Sequence, residues 1–198
     1  MPRSDRSAER RAQHLPVIAE VFAELGYRRT TTAELARRCG VQETTLYRLW
    51  NGKKAMFLAA IDHVFSASMA IWQTQAVAGD GTSSAEKVLA YEAEHLGEFG
   101  LYRILFAAIG ESDDDDIRAA VSTSYHRFHR WIERQIIDHR RRRPEDAAVE
   151  IDPALAAWAA VGVGTIINIA RDLDLSSGDE RARLLSEIGG LLLQGKTP

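Results

Sequence analysis

TTTAELARRCGVQETTLYRLWNGKKAM, residues 30–56, is the stretch whose reading decides the fold. It reads as a short helix, a tight turn at Cys39-Gly40-Val41, a second short helix over about Glu43 to Leu49, and the start of a third helix. Gly40 sits where one helix ends and the next leaves at a steep angle, a place for a residue that tolerates a left-handed backbone. Leu35, Ala36, Cys39, Val41, Leu46 and Trp50 are apolar at spacings that face one small core. Thr32, Glu43, Thr44, Thr45, Tyr47 and Arg48 are left on the outside. That division is the pattern of a helix-turn-helix whose second helix lies in a DNA major groove.

Extended from Phe22 to Phe57, with Gly26-Tyr27, Thr31-Thr32, Leu35-Ala36, Gly40-Val41, Thr45-Leu46-Tyr47, Trp50 and Lys53, the pattern resembles the DNA-binding domain of the tetracycline-repressor (TetR) family. The resemblance covers about the first quarter of the chain, and the remainder carries only a compatible helical pattern. It implies that Thr32, Tyr47 and Lys53 hold the phosphate backbone. A hydroxyl on a rigid arm, a point charge at a helix start and a threonine that can cap its helix suit that task. Glu43, Thr44 and Thr45 then stand where base edges are read, with Arg48 beside them. Glu43 can accept from a cytosine amine, and a Thr methyl can pack on a thymine methyl. Gln42 departs from the small hydroxyl residue usual before this helix, so its start is less well capped.

Charge supports the placement once it is divided. The chain of 198 residues has a net charge of −3, but residues 1–54 hold eleven Lys/Arg against six Asp/Glu, a balance of +5, and the rest carries −8. A basic head on an acidic body points to a local DNA-facing surface. The single cysteine, Cys39, excludes an intrachain disulfide and reads as a small core residue. The N-terminus is a polar arm, with Arg3 and Arg6 free to meet phosphates, and has no apolar signal region. No apolar run is expected to reach membrane-spanning length, the stretch 154–170 coming nearest. The expected protein is cytoplasmic with no membrane partner.

The expected fold is all-α, with about nine helices and no strands. A three-helix DNA-binding head, residues 1–52, stands on a larger helical ligand-binding and dimerisation body, residues 53–198. The first helix should run from about Ala8 to Leu25, disturbed near Pro16 and stopped by Gly26. A long helix from Lys53 to about Val77 follows, then a break at AGDGTSS, residues 78–84, and a helix to about Phe99 capped by Ser83 or Ser84. A short apolar helix to Ile109 leads to the acidic run 111–116, placed to satisfy the start of the next helix. That helix should end in Arg140-Arg141-Arg142-Arg143-Pro144, read as a solvated end. Two last helices, about Pro153–Leu173 (capped by Asp152) and Gly178–Gln194, are apolar on nearly all sides. Pairing with a second copy into a four-helix bundle is the economical way to cover them, so a homodimer through these helices is expected.

The resemblance further implies a small-molecule pocket in the body. The helices concerned contribute His63, Met69, Trp72, Tyr91, His95, Tyr102, Phe106, Tyr125, Phe128 and Trp131, a set suited to a small hydrophobic or aromatic effector; the alternative is that these side chains simply fill the core. His126 and His129 could share a metal with His95, but a ligand set is not defined, and neither metal nor cofactor is expected. No phosphate loop, nucleophile elbow, paired-carboxylate motif or zinc-protease spacing is present, so no catalytic residue is assigned. The expected function is a TetR-type regulator of transcription, a repressor released from a palindromic double-stranded DNA operator by its effector. The alternatives are a helical enzyme, a small-molecule-binding protein without a transcriptional role, and a DNA-associated scaffold or cell-division accessory with the same head.

Overall fold

A computed structural model of the chain describes residues 3–75, 82–95, 100–142 and 151–195, with side chains from Arg6 onward. The side chain of Arg3, most of the break at 78–84, the helix ends expected at Val77 and Phe99, and the Arg143-Pro144 stop lie outside the described residues. Every regular element among those described is helical: α1 (Arg3–Arg29), α2 (Thr32–Arg38), α3 (Glu43–Leu49), α4 (Gly52–Gln75), α5 (Ser84–His95), α6 (Arg103–Ile109), α7 (Asp115–Arg142), α8 (Pro153–Asp172) and α9 (Gly178–Gln194). The fold is all-α. Two compact units are formed, one from residues 1–67 with 99–124 and the other from 68–98 with 125–198, so α4 and α7 each contribute to both.

In the first unit, α1 begins at Arg3 rather than near Ala8, and Pro16 lies inside it without breaking it. Proline costs a helix one hydrogen bond and a steric clash. Burial on the same helix opposes that cost, because Ile18, Ala19, Val21 and Phe22 are wholly buried. The break comes instead at Gly26, whose φ of 70° takes the chain out of the helical region. Phe22, Tyr27 and Phe57 pack ring against ring there, with centroids 4.8 Å apart for Phe22–Phe57 and 4.7 Å for Tyr27–Phe57. Against α1 also pack α2, α3 and α6. The acidic run does cap its helix: Asp114 Oδ1 accepts from the Asp116 and Ile117 amides at 3.0 and 3.2 Å.

In the second unit, α9 packs against both α5 and α8. Ile136, Ala156, Ala157 and Leu192 form a buried cluster, with Ile132, Ile151, Ala160, Ile188 and Leu193 around it. Ser83 is the cap of α5, its Oγ accepting from the Glu86 amide at 3.2 Å while Glu86 Oε2 accepts from the Ser83 amide at 2.8 Å. The same Oγ lies 2.8 Å from His139 Nδ1, and both groups are buried. Asp152 caps α8 through the Ala154 and Leu155 amides, as its place before Pro153 suggests.

The arginine run is not merely a solvated end. Arg140 Nε donates to Leu193 O at 3.1 Å, Nη2 to Leu192 O at 2.9 Å and Nη1 to Ile151 O at 2.8 Å. One planar guanidinium thus satisfies two terminal carbonyls of α9 and one just before α8, a task its fixed fork of donors suits. Burial holds the Arg140 guanidinium below the usual arginine range.

Two helices revise the membrane argument. By length and composition α4 and α8 are apolar enough to cross a bilayer, with mean hydropathies of 1.5 and 1.6. In α4 the apolar residues Met56, Phe57, Ala60 and Ile61 are wholly buried within the first unit, which accounts for its composition. In α8 one side buries Ala156, Ala157 and Ile167, while Leu155, Trp158 and Ile166 stand exposed on the other.

Replacing Arg140 by alanine orphans three carbonyls, each of which costs about 1–3 kcal/mol if it stays dry. The expected outcome is a loss of about 2 kcal/mol in urea unfolding, with Arg140→Lys recovering only part because an ammonium cannot reproduce the fork.

Candidate nucleic-acid interface

The helix-turn-helix is built as its sequence suggests, with one change of cap. Thr31, not Thr32, caps α2: its Oγ1 accepts from the Glu34 amide at 3.2 Å. Leu35, Ala36, Leu46, Leu49 and Trp50 are buried under the motif, whereas Cys39 and Val41 are only half-buried. Gly40 takes a φ of 66° and turns the chain between α2 and α3. Gln42 precedes α3 without making any side-chain cap. Burial pushes the Cys39 thiol up from its ordinary range, so it packs rather than reacts.

With Thr31 as cap, Thr32 becomes the first helical residue and its hydroxyl is released toward α3. Thr32 Oγ1 donates to Glu43 Oε2 at 2.7 Å and lies 3.2 Å from the Tyr47 hydroxyl. Three of the residues singled out by sequence therefore form one hydrogen-bonded cluster on an exposed face. Thr44 and Arg48 are exposed beside it, Thr45 is half-buried, and Tyr47 is 52% exposed.

Lys53 is placed differently. Its ammonium donates to Tyr27 O and Thr30 O, both at 3.0 Å, and sits 4.4 Å from the centre of the Tyr27 ring. Two of its three N–H groups are thus spent on carbonyls beyond the Gly26 break, leaving one for an outside acceptor.

Several other cations of the head are paired. Arg38 meets both oxygens of Glu24 at 3.0 and 2.8 Å, and Arg37 meets both oxygens of Glu34 at 2.8 and 2.6 Å. Arg28 pairs with Glu111, and Lys54 with Asp114 and Asp116, at 2.6–2.7 Å. The hydrogen bonds to Asp114 and then Asp116 hold the Lys54 ammonium above the usual lysine range, and the bond from Lys54 pulls Asp114 below the usual aspartate range. The acidic run belongs to the same unit as the head. Counted over that unit, thirteen Lys/Arg face twelve Asp/Glu, a balance of only +1. The +5 of the first 54 residues is therefore largely offset within the fold, and placement of charge matters more than its total.

The residues expected at a ligand pocket divide between the units. His63, Tyr102 and Phe106 belong to the first, where Tyr102 and Phe106 meet edge to face at 5.6 Å and burial lowers the His63 pKa. Met69, Trp72, Tyr91, His95, Tyr125, Phe128 and Trp131 belong to the second. Trp72 stacks on Trp131 at 4.5 Å and meets Phe128 at 5.7 Å, and Tyr91 stacks on His95 at 4.3 Å. Burial pushes the Tyr125 phenol up. A cleft of roughly 230 Å³ in this unit is lined by Glu92, His95, Ile167, Arg171, Arg181 and Leu185, among others. Glu92, which the sequence did not single out, accepts a hydrogen bond from the Trp72 indole N–H. His129 is used elsewhere, its Nε2 lying 2.9 Å from Ala154 O and its ring stacked on Trp158 at 4.5 Å. Among the described residues no group of three or more His, Cys, Asp or Glu could hold a metal.

Residues 15–60 match the family model described as bacterial regulatory proteins, tetR family. The chain carries that family's DNA-binding segment. Among curated relatives, the nucleoid occlusion factor SlmA of Haemophilus influenzae is 46% identical over 59 residues, 29% of this chain and 27% of that protein. The SlmA of Mannheimia succiniciproducens is 43% identical over 60 residues, 30% of this chain and 28% of that one. The chain thus spans little more than a quarter of the length of these relatives. Solved structures extend the likeness of fold over nearly the whole chain. A TetR-family transcriptional regulator from Cytophaga hutchinsonii superposes with a TM-score of 0.75 at 15% identity, covering 94% of each chain. A protein from Saccharomonospora viridis described as a transcriptional regulator and solved with choline gives 0.69 at 16%, covering 93% of this chain and 95% of that one.

One prediction concerns the cleft. Burial raises the Glu92 carboxyl above the ordinary glutamate range, against a smaller opposing pull from the Trp72 hydrogen bond. A raised folded-state pKa gives stability that is fully present below the unfolded value and lost as pH rises through the folded one. Glu92→Gln keeps an oxygen for the indole and cannot ionise. It is expected to raise the melting temperature at pH 7, with the gain fading toward about pH 4. Melting curves that shift equally at both pH values would show that the carboxylate carries no burial penalty.

Proposed function

We propose that this TetR-family chain is a homodimeric DNA-binding transcriptional regulator, a repressor that leaves a palindromic operator when a small molecule binds its second unit. The observation that carries the reading is the exposed face of α3, where Glu43, Thr44, Tyr47 and Arg48 stand clear of the core beside the half-buried Thr32 of α2, within the residues the family model matches. Thr44, with Glu43 and Thr45, would read base edges; Thr32, Tyr47 and the remaining N–H of Lys53 would hold phosphates.

The homodimer is supported by the surface of α8, α9 and the turn between them. Leu155, Trp158, Ile166, Leu173, Leu175, Leu184 and Leu191 are all large, apolar and between 39% and 65% exposed. So many apolar side chains on one hairpin favour association with a second copy. An effector would meet Trp72, Phe128 and Trp131, or the charged cleft around Glu92, Arg171 and Arg181. Its coupling to operator affinity is expected to be on the order of 1–3 kcal/mol. A role at the nucleoid, as the name of the SlmA relatives has it, is the second reading. The match to those proteins is confined to 59 or 60 residues, so the bulk of this chain lends it no support.

Selection of bound fragments from a random DNA pool, followed by a screen for small molecules that release the winner, tests the main reading. One palindromic sequence should emerge, and binding should weaken with salt. Thr44→Ala is expected to change the base preference, whereas Lys53→Ala should weaken all duplexes alike. Failure to enrich any sequence would exclude the reading. In solution the mass should be twice 22.0 kDa, falling to the monomer value in Trp158→Glu; light scattering that gives a monomer for the wild type would remove the dimer.

A further inference from the structure

The Thr32–Glu43–Tyr47 cluster has a fixed direction. A carboxylate accepts and does not donate, so the proton between Thr32 and Glu43 is the one on Thr32 Oγ1, 2.7 Å from Glu43 Oε2. Threonine has no second proton. At the 3.2 Å contact between the two hydroxyls, Tyr47 is therefore the donor and Thr32 the acceptor. Both hydroxyl protons point along one chain, from Tyr47 through Thr32 to the carboxylate. A phosphate oxygen is likewise an acceptor only, so the cluster as it stands offers it no donor. The carboxylate also puts a negative charge beside the two hydroxyls that a backbone phosphate would use.

We propose that Glu43 is an internal competitor for phosphate: it occupies the Thr32 and Tyr47 hydroxyls until a base in the major groove draws it away. The inference rests on the DNA-binding reading above and assigns Glu43 a specificity role within it. On an arbitrary duplex, freeing the hydroxyls means stripping Glu43 of its partner with nothing given in return. Where a cytosine amine faces α3, the carboxylate exchanges one donor for another, and the hydroxyl protons turn to the phosphate. Phosphate holding then depends on base identity, although phosphates themselves carry no sequence information. Glu43 lowers non-specific affinity more than specific affinity.

Anisotropy titrations of the full-length chain against a random-sequence duplex and the pool-selected duplex test this. Glu43→Ala is expected to tighten binding to the random duplex about tenfold, the equivalent of about 1.4 kcal/mol, and to narrow the ratio between the two duplexes. In a Thr32→Val, Tyr47→Phe background the same substitution should have only a small effect, because the hydroxyls it would free are gone. Glu43→Gln, which keeps the side-chain size, should follow Glu43→Ala in direction, and thermal melts check that all variants fold. Selective binding by the wild type with no gain in Glu43→Ala overturns the inference and leaves the DNA reading standing. A gain of equal size in the background without hydroxyls also overturns it, since plain charge repulsion would then suffice. A wild type that binds neither duplex at low salt removes the DNA reading, and this inference with it.

Discussion

The ammonium of Lys53 is the contact on which the head depends. Gly26 takes the chain out of α1, and the carbonyls of Tyr27 and Thr30 that follow need donors. Lys53, in the first turn of α4, supplies both and places its charge over the Tyr27 ring. The same joint is packed by Phe22 and Phe57, one from each helix. A break in one helix is thereby sealed by the start of another, and α2 and α3 are the chain between them. Thr30 adds a second seal, its buried hydroxyl donating to Gly26 O at 2.6 Å. On the proposed reading, Lys53 has two uses that compete. The more firmly it holds this joint, the less of its hydrogen-bonding capacity is left for DNA.

Electrostatics in the first unit is a matter of placement. Glu111, Asp114 and Asp116 pair with Arg28 and Lys54 and bring the unit close to neutrality. A nearly neutral unit gains little from long-range attraction to a polyanion. Whatever holds DNA must then work at short range, through oriented hydroxyls, amides and the cations that stay exposed. Such contacts respond to geometry more than to net charge, which favours discrimination over raw affinity.

Much of this was legible in the sequence because it depended on local rules. The apolar spacing of Leu35, Ala36, Leu46 and Trp50, the turn at Gly40, the uncapped Gln42 and the Asp152-Pro153 helix start all follow from neighbours within a few residues. What escaped depended on distant partners. Pro16 reads as a disturbance in sequence because its cost is local, whereas the burial of Ile18 and Phe22 that outweighs it is tertiary. Arg140 looked like one of four solvated cations, since nothing near it in sequence announces the carbonyls of Leu192 and Leu193. Sequence alone offers Thr32 as a cap although Thr31 takes that role, a shift of one residue that turns a hydroxyl from its own helix toward Glu43. In the second unit Glu92 escaped, because a lone glutamate on a helix shows no sign of burial until its neighbours are known.

The strength of the Thr32–Glu43–Tyr47 cluster suits a conditional role better than a structural one. Glu43 and Tyr47 are exposed and Thr32 half-buried, and a hydrogen bond at such a surface adds about 1 kcal/mol to stability. The head does not need that increment, since the buried side chains of α1, α2, α3 and α4 already fix the motif. A buried version would be too costly to open, because breaking it would leave a charge without a partner. At the surface, water can take over while partners change. A contact of about that strength is small enough to yield when other partners offer a joint replacement. The same three residues buried under the motif would have been a brace; placed on its outer face, they are free to exchange one set of partners for another.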